Sequence, residues 1–182
     1  MGKVSDSISP ELRVWIEAQR MFFVATAPTN AEGHINCSPK GGDTFRVLNE
    51  REAAYLDLTG SGIETVAHLQ ENGRVVVMFC AFSGPPRIVR LHGKGDVVYP
   101  TDADFARLIG SFPERLGVRA ILRIRLSRVA DTCGFAVPRF DYVGERDTLD
   151  KWCESKGSEA LADYRRAKND RSIDGIPGYR ED

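Results

Sequence analysis

The sequence has few residues of the kinds that build metal and disulfide sites. Its four cysteines lie far apart without a C-x-x-C pair, and its three histidines never recur at helical spacing. This pattern disfavours a zinc finger and a thioredoxin-type redox site. At 182 residues, folding buries about 70% of the unfolded chain's surface, so the fold needs no covalent or metal staple.

An excess of one charge and long apolar runs are also missing. The 25 Lys and Arg residues nearly balance the 26 Asp and Glu residues, which gives a formal charge of −1. That balance disfavours a general nucleic-acid binder. The first ten residues are polar, unlike a signal peptide, and no segment has the length of a membrane span. We therefore expect a cytoplasmic protein with reduced thiols and no membrane partner.

The chain instead contains a succession of short β-rich segments separated by turn residues. Residues 21–27 and 34–37 predict a hairpin, and Gly93 and Gly95 predict a bulge or bend in a long strand. Alternation over 119–129 places Leu122, Ile124 and Leu126 on one face and arginines on the other. Further strands are predicted at 44–48, 53–58, 74–81 and 87–99.

Helices are fewer than strands. One is predicted at 11–20, with Ser9 as its N-cap and Pro10 at its first position. Six or seven strands with few helices favour a closed or nearly closed antiparallel barrel, which leaves no unprotected sheet edge. We predict one domain over 1–182, with a barrel core at 1–131 and a helical extension at 132–182. Other helices are predicted at 63–71, up to residue 109, at 149–156 and at 159–168.

Two strand ends carry residues that suit a phosphate monoester. One is Ser38-Pro39-Lys40, and the other is Thr59-Gly60-Ser61-Gly62, followed by Thr65 at a predicted helix start. Hydroxyls, free N–H groups and a lysine would provide donors, a favourable dipole and a cation, to which Arg87 or Arg90 would add charge. The local pattern alone favours a simple turn and a solvated lysine, because Gly/Ser turns are common.

The remaining polar candidates favour structural roles. His34 is expected in solvent, His92 at the surface or an interface, and His68 partly buried in a helix. Cys80 lies in an apolar strand and is expected to be an inert core thiol. The arginines of the alternating strand favour a solvated face over an anion-binding surface. They are Arg119, Arg123, Arg125 and Arg128.

Five longer segments together resemble the flavin-binding split-barrel proteins related to pyridoxamine 5'-phosphate oxidase. They are INCSPKGGDTFRVL, YLDLTGSGIETVAHLQENGRVVVMFCAF, GPPRIVRLHGKGDVV, CGFAVPRFDYVGERDTLDKW and KNDRSIDGIPG. The resemblance covers nearly the whole chain, and its last two segments are similar to one branch of the group. It implies a six-stranded antiparallel split β-barrel and a homodimer with FMN at the interface.

The resemblance also assigns expected roles to individual residues and thereby favours the phosphate site. It implies that the strand 35–40 runs beside the isoalloxazine ring, with Lys40 as the phosphate-binding lysine. The turn and helix start from Thr59 to Thr65 would add phosphate donors. Asn36, Ser38 and Asp57 lie on strands that could present donors to the pyrimidine edge of the ring. Trp152 would either stack on the ring or anchor its own helix.

Departures from the well-known enzyme bear on the substrate. Ile35 stands where that enzyme has an arginine, Pro39 interrupts the run before Lys40, and Ile88 replaces a glutamine that contacts the flavin. The ending SIDGIPGYRED lacks the tryptophan and arginine motif of the enzyme. Pyridoxamine phosphate is therefore disfavoured as the substrate.

The function that follows is an FMN-dependent oxidoreductase that transfers a hydride or electrons to a small molecule, with NADH or NADPH as a candidate donor. The flavin would carry the chemistry, so no side chain need be an essential acid or base. The alternative is a protein that binds FMN or haem for storage or sensing without turnover. A deazaflavin in place of FMN also stays open.

Overall fold

The computed structural model describes residues 2–180, and its main element is one antiparallel sheet. The eight strands are β1 (Lys3–Ser5), β2 (Phe22–Thr26), β3 (Asn36–Lys40), β4 (Phe45–Asn49), β5 (Glu52–Leu58), β6 (Arg74–Cys80), β7 (Ile88–Val98) and β8 (Val118–Thr132). The four helices are α1 (Pro10–Glu17), α2 (Glu64–Asn72), α3 (Phe105–Ile109) and α4 (Thr148–Lys168).

The strand order makes the sheet an open, split barrel. Neighbouring strands run β3-β2-β6-β7-β8-β5-β4, and β1 pairs with β8 beyond this path. Every pairing is antiparallel, and within residues 2–180 no ladder joins β3 to β4. The predicted antiparallel split barrel is confirmed, whereas the expected count of six strands is wrong. The barrel therefore keeps two strand edges, β3 and β4, at its opening.

The alternation of apolar side chains along the strands builds the core. Val24, Val77, Leu91 and Ile124 are almost inaccessible to solvent and belong to one main cluster inside the barrel. A second cluster packs α3 against the opposite face of β5 and β8. Because β5 contributes buried residues to both clusters, both of its faces are covered. The buried residues of the second cluster are Ala54, Leu56, Val98, Leu108, Phe112 and Ile121.

Local sequence signals account for most of the element boundaries. The register of β7 against β8 shifts between His92 and Gly93, which confirms the predicted bulge. Ser9 Oγ accepts a hydrogen bond of 3.2 Å from Leu12 N, which confirms the predicted N-cap. Helix α1 nevertheless ends at Glu17, three residues before the predicted end. Strand β1 was not predicted, since three exposed residues carry no periodic pattern.

The C-terminal extension packs against the barrel. Helix α4 contains a non-helical residue, Gly157, with φ 72° and ψ 171°, so it consists of the two predicted helical segments joined at a kink. Buried Cys153 and Leu161 hold the two segments against the rest of the chain. No helix among residues 2–180 has the length and apolar character needed to span a membrane. The proposed division into core and extension stays a prediction.

Candidate functional site

A large cleft lies where β3, β5 and β6 end. Its volume is about 1040 Å³, and the segment 140–150, which includes the start of α4, forms one of its walls. Leu56, Thr44 and Cys80 form a buried floor, while Phe82 and Phe140 contribute aromatic rings. Burial raises the pKa of the Cys80 thiol, so this sulfur stays protonated and inert near neutral pH. The cleft has the size and mixed lining of a small-molecule site.

Lys40 is the predicted site residue that fits this cleft best. It is the last residue of β3, pairs with Phe22 of β2, and lines the cleft. Its side chain is half-buried and makes no hydrogen bond or ion pair with any other residue in 2–180. A lysine that lines a cleft without a protein partner can bind an anionic ligand there, because charge-assisted hydrogen bonds between an ammonium and an anion are strong.

Three further predicted residues form a hydrogen-bonded chain beside the cleft. Asn36 and Ser38 project from the same face of β3 as Lys40, because side chains alternate along a strand. Ser38 Oγ donates to Asn36 Oδ1 over 3.1 Å, and Asn36 Nδ2 donates to Thr65 Oγ1 over 2.9 Å. The chain links the free edge of the sheet to the first turn of α2. None of the three lines the cleft itself.

The turn Thr59–Gly62 directs its carbonyl groups into the protein. Asn169 Nδ2 donates to the carbonyl oxygens of Gly60 and Ser61, over 2.9 and 3.3 Å. Arg119 Nη1 donates to that of Gly62 over 3.0 Å. Because a trans peptide places its N–H opposite its C=O, the N–H groups of Ser61 and Gly62 point away from these donors. The turn therefore exposes amide donors on its outer side.

Other groups at this turn are already occupied. Thr59 Oγ1 donates to Gly117 O over 2.8 Å and accepts from Arg165 Nε over 2.9 Å. The amide that follows in the chain, Ile63 N, donates to the Glu64 carboxylate over 3.0 Å. Of the turn residues, only Thr59 and Gly60 line the cleft. The geometry thus brings Lys40, Thr59 and Gly60 together and leaves Ser61 and Gly62 outside the cleft wall.

Asp57 lies in the interior as half of a buried ion pair. Its Oδ2 accepts from Arg119 Nε over 2.7 Å, and the side chains are 2% and 4% exposed. Burial opposes the charge of Arg119, but the attraction of Asp57 outweighs it and raises the pKa of the guanidinium. Burial and the nearby Asp57 charge also hold the pKa of Tyr55 well above its ordinary value. The interpretation of Arg119 as part of a solvated face is wrong.

Arg90 and Trp152 are two more predicted residues that do not line the cleft. Arg90 projects from β7 and donates from Nη1 to Thr132 Oγ1 over 3.3 Å. Trp152 packs edge-on against Tyr164, with ring centroids 5.1 Å apart, and Lys156 lies over its ring. These contacts favour the role of Trp152 as an anchor between the two segments of α4. As cofactor contacts, both residues stay predictions.

The opposite wall of the cleft carries cationic and aromatic residues that no sequence motif predicted. Arg115 lies in the loop before β8, and Arg20 stacks over the Tyr142 ring at 5.3 Å. The Tyr142 hydroxyl donates to Glu145 over 2.8 Å, and this bond raises the pKa of the tyrosine. No local motif marks these positions, because they meet the strand ends only after the extension folds back. Among residues 2–180, no group of three or more His, Cys, Asp or Glu could hold a metal.

The open antiparallel sheet and the cleft at its strand ends define the class of split-barrel proteins. Two solved structures share this fold, and at these identities the likeness concerns the fold alone. HupZ from Group A Streptococcus has a TM-score of 0.51 and 21% identity, over 67% of this chain and 91% of that one. A candidate pyridoxamine 5'-phosphate oxidase from Lactobacillus delbrueckii has a TM-score of 0.53 and 15% identity, over 69% and 94%.

Sequence comparison places the chain within a family. A family model described as pyridoxamine 5'-phosphate oxidase matches residues 8–133. The pyridoxamine 5'-phosphate oxidase family protein ustO from Aspergillus flavus is 38% identical, over 95% of this chain and 76% of that protein. The chain therefore belongs to the pyridoxamine 5'-phosphate oxidase family, which confirms the resemblance seen in its sequence.

Proposed function

We propose that the protein is an FMN-dependent oxidoreductase whose cofactor occupies the cleft at the ends of β3, β5 and β6. The observation that carries this proposal is the half-buried Lys40 side chain, which lines that cleft and has no hydrogen-bond or ion-pair partner among residues 2–180. A phosphate monoester supplies the counter-charge that Lys40 lacks, and charge-assisted hydrogen bonds are the strong ones. Gly60 has space beside it, since a Cβ built there meets nothing within 4 Å, so a ligand can approach its backbone closely.

The rest of the cleft suits the flat, largely apolar body of a flavin. Phe82 and Phe140 pack with ring centroids 5.4 Å apart at one side, and Leu56 and Leu58 line the barrel side. The flavin, when bound, supplies hydride or electron transfer at its N5 edge. The residues of the chain bind and orient it and exclude water from the reacting face.

The substrate of this proposed enzyme is a small molecule other than pyridoxamine phosphate. The side chain of Ile35, where the well-known enzyme has an arginine, is 77% exposed and offers no donor. Ile88, at the position of a flavin-contacting glutamine, is equally unable to hydrogen-bond. The family relationship therefore supports a flavin cofactor, whereas Ile35 and Ile88 argue for a second substrate other than pyridoxamine phosphate.

We also propose a homodimer, supported by an outer face of the sheet that is apolar along β2 and β6 and polar at β7. The strand register aligns Phe23, Met78 and Arg90 across β2, β6 and β7, and Ala25, Val76 and His92 in the next row. All six side chains are only half-buried within one chain. Cys37 and Pro39 extend the same face to the edge strand β3 and are exposed. A second copy packed there would lie beside the strand that carries Lys40.

A binding titration tests the proposal. Apo-protein is titrated with FMN and with riboflavin, which differ only in the phosphate, and binding is followed by flavin fluorescence. We expect Lys40→Met to weaken FMN binding by about 1.5–3 kcal/mol, the range for a hydrogen bond to a charged group, and to leave riboflavin binding unchanged. Lys151→Met, at an exposed lysine of α4, is the matched control. Equal FMN affinity in wild type and Lys40→Met would refute the phosphate assignment.

Turnover requires a separate measurement. The FMN-loaded protein is mixed anaerobically with NADH or NADPH, and bleaching of the flavin band is recorded. An oxidoreductase is expected to be reduced by one of them faster than free FMN is. A flavin that neither donor reduces would instead indicate a storage or sensing protein.

A further inference from the structure

Arg115 is the second half-buried cation of the cleft, and two contacts hold its guanidinium at the wall. Nη1 donates to Gly42 O over 2.6 Å, and Nη2 donates to Asp150 Oδ2 over 3.2 Å. The side chain is 20% exposed, whereas the other cleft arginines, Arg20 and Arg146, are exposed to solvent. Arg115 is thus the arginine that the fold has ordered at this site.

The backbone places Arg115 between the two halves of the proposed phosphate site. Gly42, which accepts its hydrogen bond, follows Lys40 by two residues. On the other side, Gly117 O accepts from both the N–H and the hydroxyl of Thr59, each over 2.8 Å. Arg115 therefore binds the residue two positions after Lys40. It also lies two positions before Gly117, the residue that binds Thr59. All of Lys40, Thr59 and Arg115 line the same cleft.

The chemistry of the guanidinium suits a second anion contact. A guanidinium has five N–H donors, and its contacts with Gly42 and Asp150 use two of them. Its planar fork matches the oxygens of a phosphate or carboxylate. The single bond to Asp150 keeps the charge compensated in the free protein, and that carboxylate is 39% exposed and able to turn into solvent.

We propose that Arg115 is an anion-binding residue of the cleft and that Asp150 is its internal competitor. The inference rests on the proposed function for the identity of the cleft's main ligand. It gives this chain a cation for the site although Ile35 provides none. The anion comes either from the phosphate of the cofactor or from an acidic group on the second substrate.

The proposal predicts opposite effects for the two members of the ion pair. Arg115→Met removes the cation, so anion affinity falls by about tenfold or more. Asp150→Asn removes the competing carboxylate and leaves the cation, so anion affinity rises. A purely structural ion pair predicts instead that both variants lose stability and that neither changes anion affinity. Arg115→Lys retains the charge without the planar fork and is expected to have intermediate affinity.

Three titrations identify the source of the anion. FMN, riboflavin and inorganic phosphate are each titrated into wild type, Arg115→Met and Asp150→Asn. The control is Arg107→Met, at an exposed arginine that pairs with Asp104. If Arg115 holds the cofactor phosphate, Arg115→Met lowers FMN affinity and spares riboflavin. If it holds a substrate group, FMN affinity is unchanged, and inorganic phosphate perturbs the bound flavin's spectrum in wild type but not in Arg115→Met.

Inorganic phosphate also separates this inference from the proposed function. Apo-protein is heated with and without phosphate, and the rise in Tm measures anion binding without any flavin. A phosphate-dependent rise that Arg115→Met removes supports the site even if FMN does not bind. If Arg115→Met and Asp150→Asn leave every anion affinity and the phosphate-dependent Tm at wild-type values, the proposal is overturned.

Discussion

At the scale of single residues, a buried polar network ties the candidate site to the extension. Asn169 is fully buried; it donates to the turn at Gly60 and accepts from Arg119 Nη1 over 2.7 Å. Arg119 in turn pairs with Asp57. The sequence revealed Asp57 and the turn as polar groups at a strand end, but not their partners. Those partners are about 60 and more than 100 residues away, and no local pattern encodes such contacts.

Loss of the Asp57 carboxylate would leave the buried Arg119 charge without its counter-ion. We expect Asp57→Asn to lower the free energy of unfolding by about 3–5 kcal/mol, because Arg119 would keep its charge without its counter-ion. Urea denaturation followed by circular dichroism provides the measurement. Asp6→Asn breaks an exposed pair with Arg51 and is expected to cost less than about 1 kcal/mol. Equal costs for the two variants would show that Arg119 is not held by Asp57.

His68 gives stability a pH dependence of definite sign. Its side chain is inaccessible to solvent, its Nδ1 lies 3.0 Å from Thr26 Oγ1, and burial lowers its pKa below the ordinary value of 6.5. The unfolded chain therefore binds a proton more readily than the native one, so stability is lost as pH falls below about 6.5. The sequence predicted a structural, partly buried His68 in a helix, and the structure places it in α2 with no exposed surface.

The measurement compares unfolding free energies between about pH 5 and pH 7. We expect the slope with pH to be smaller in His68→Gln than in wild type. His92, whose pKa burial also lowers, contributes to the same slope, so His92→Gln serves as the comparison. A slope that is identical in wild type and His68→Gln would contradict the assigned burial effect.

At the scale of secondary-structure elements, periodicity predicted which segments form strands better than it predicted the residues at which the strands end. The local pattern predicted that this strand ends at Cys37, whereas the resemblance implied a strand over 35–40. Strand β3 does continue to Lys40, through Pro39. Proline fits there because β3 is an edge strand and Pro39 can lack an N–H without breaking a ladder on its free side. Edge position depends on the whole sheet order, which periodicity does not reveal.

The bulge in β7 supplies a prediction at this scale. A Cβ at Gly93 would overlap the backbone oxygen of Arg125 on β8, so no side-chain movement can relieve the clash. We expect Gly93→Ala to destabilise the protein by about 1–3 kcal/mol, the range for overpacking, as read from thermal unfolding. Gly110→Ala, where the nearest atom is 4.0 Å away and φ is −62°, is expected to be close to neutral. A harmless Gly93→Ala would show that the strands part easily at the bulge.

At the scale of the whole molecule, the antiparallel barrel followed from the sequence, whereas the cleft did not. Alternating strands and turns were enough to indicate the fold class, because each strand needs a covered apolar face. The cleft wall formed by 140–150 depends on how a segment without regular structure before α4 returns to the barrel. Composition and periodicity contain no signal for that path. Of the sequence arguments, only the resemblance of whole segments covered this stretch of the chain.

The proposed homodimer is testable at this scale. We expect wild type to sediment at about twice 20.2 kDa, and Met78→Glu to shift it toward the monomer by placing a charge in the apolar outer face. The matched control is Val14→Glu on α1, where the side chain is already 70% exposed. FMN affinity is expected to fall together with dimerisation. A wild-type monomer that binds FMN fully would contradict a site completed by the partner.

The most direct test of the central claim is a crystal structure of the protein grown with FMN. We expect the FMN phosphate within about 4 Å of Lys40 Nζ, at ion-pairing distance, with the ring extending along β3. A flavin bound elsewhere, or a phosphate that leaves Lys40 without a partner, would contradict it.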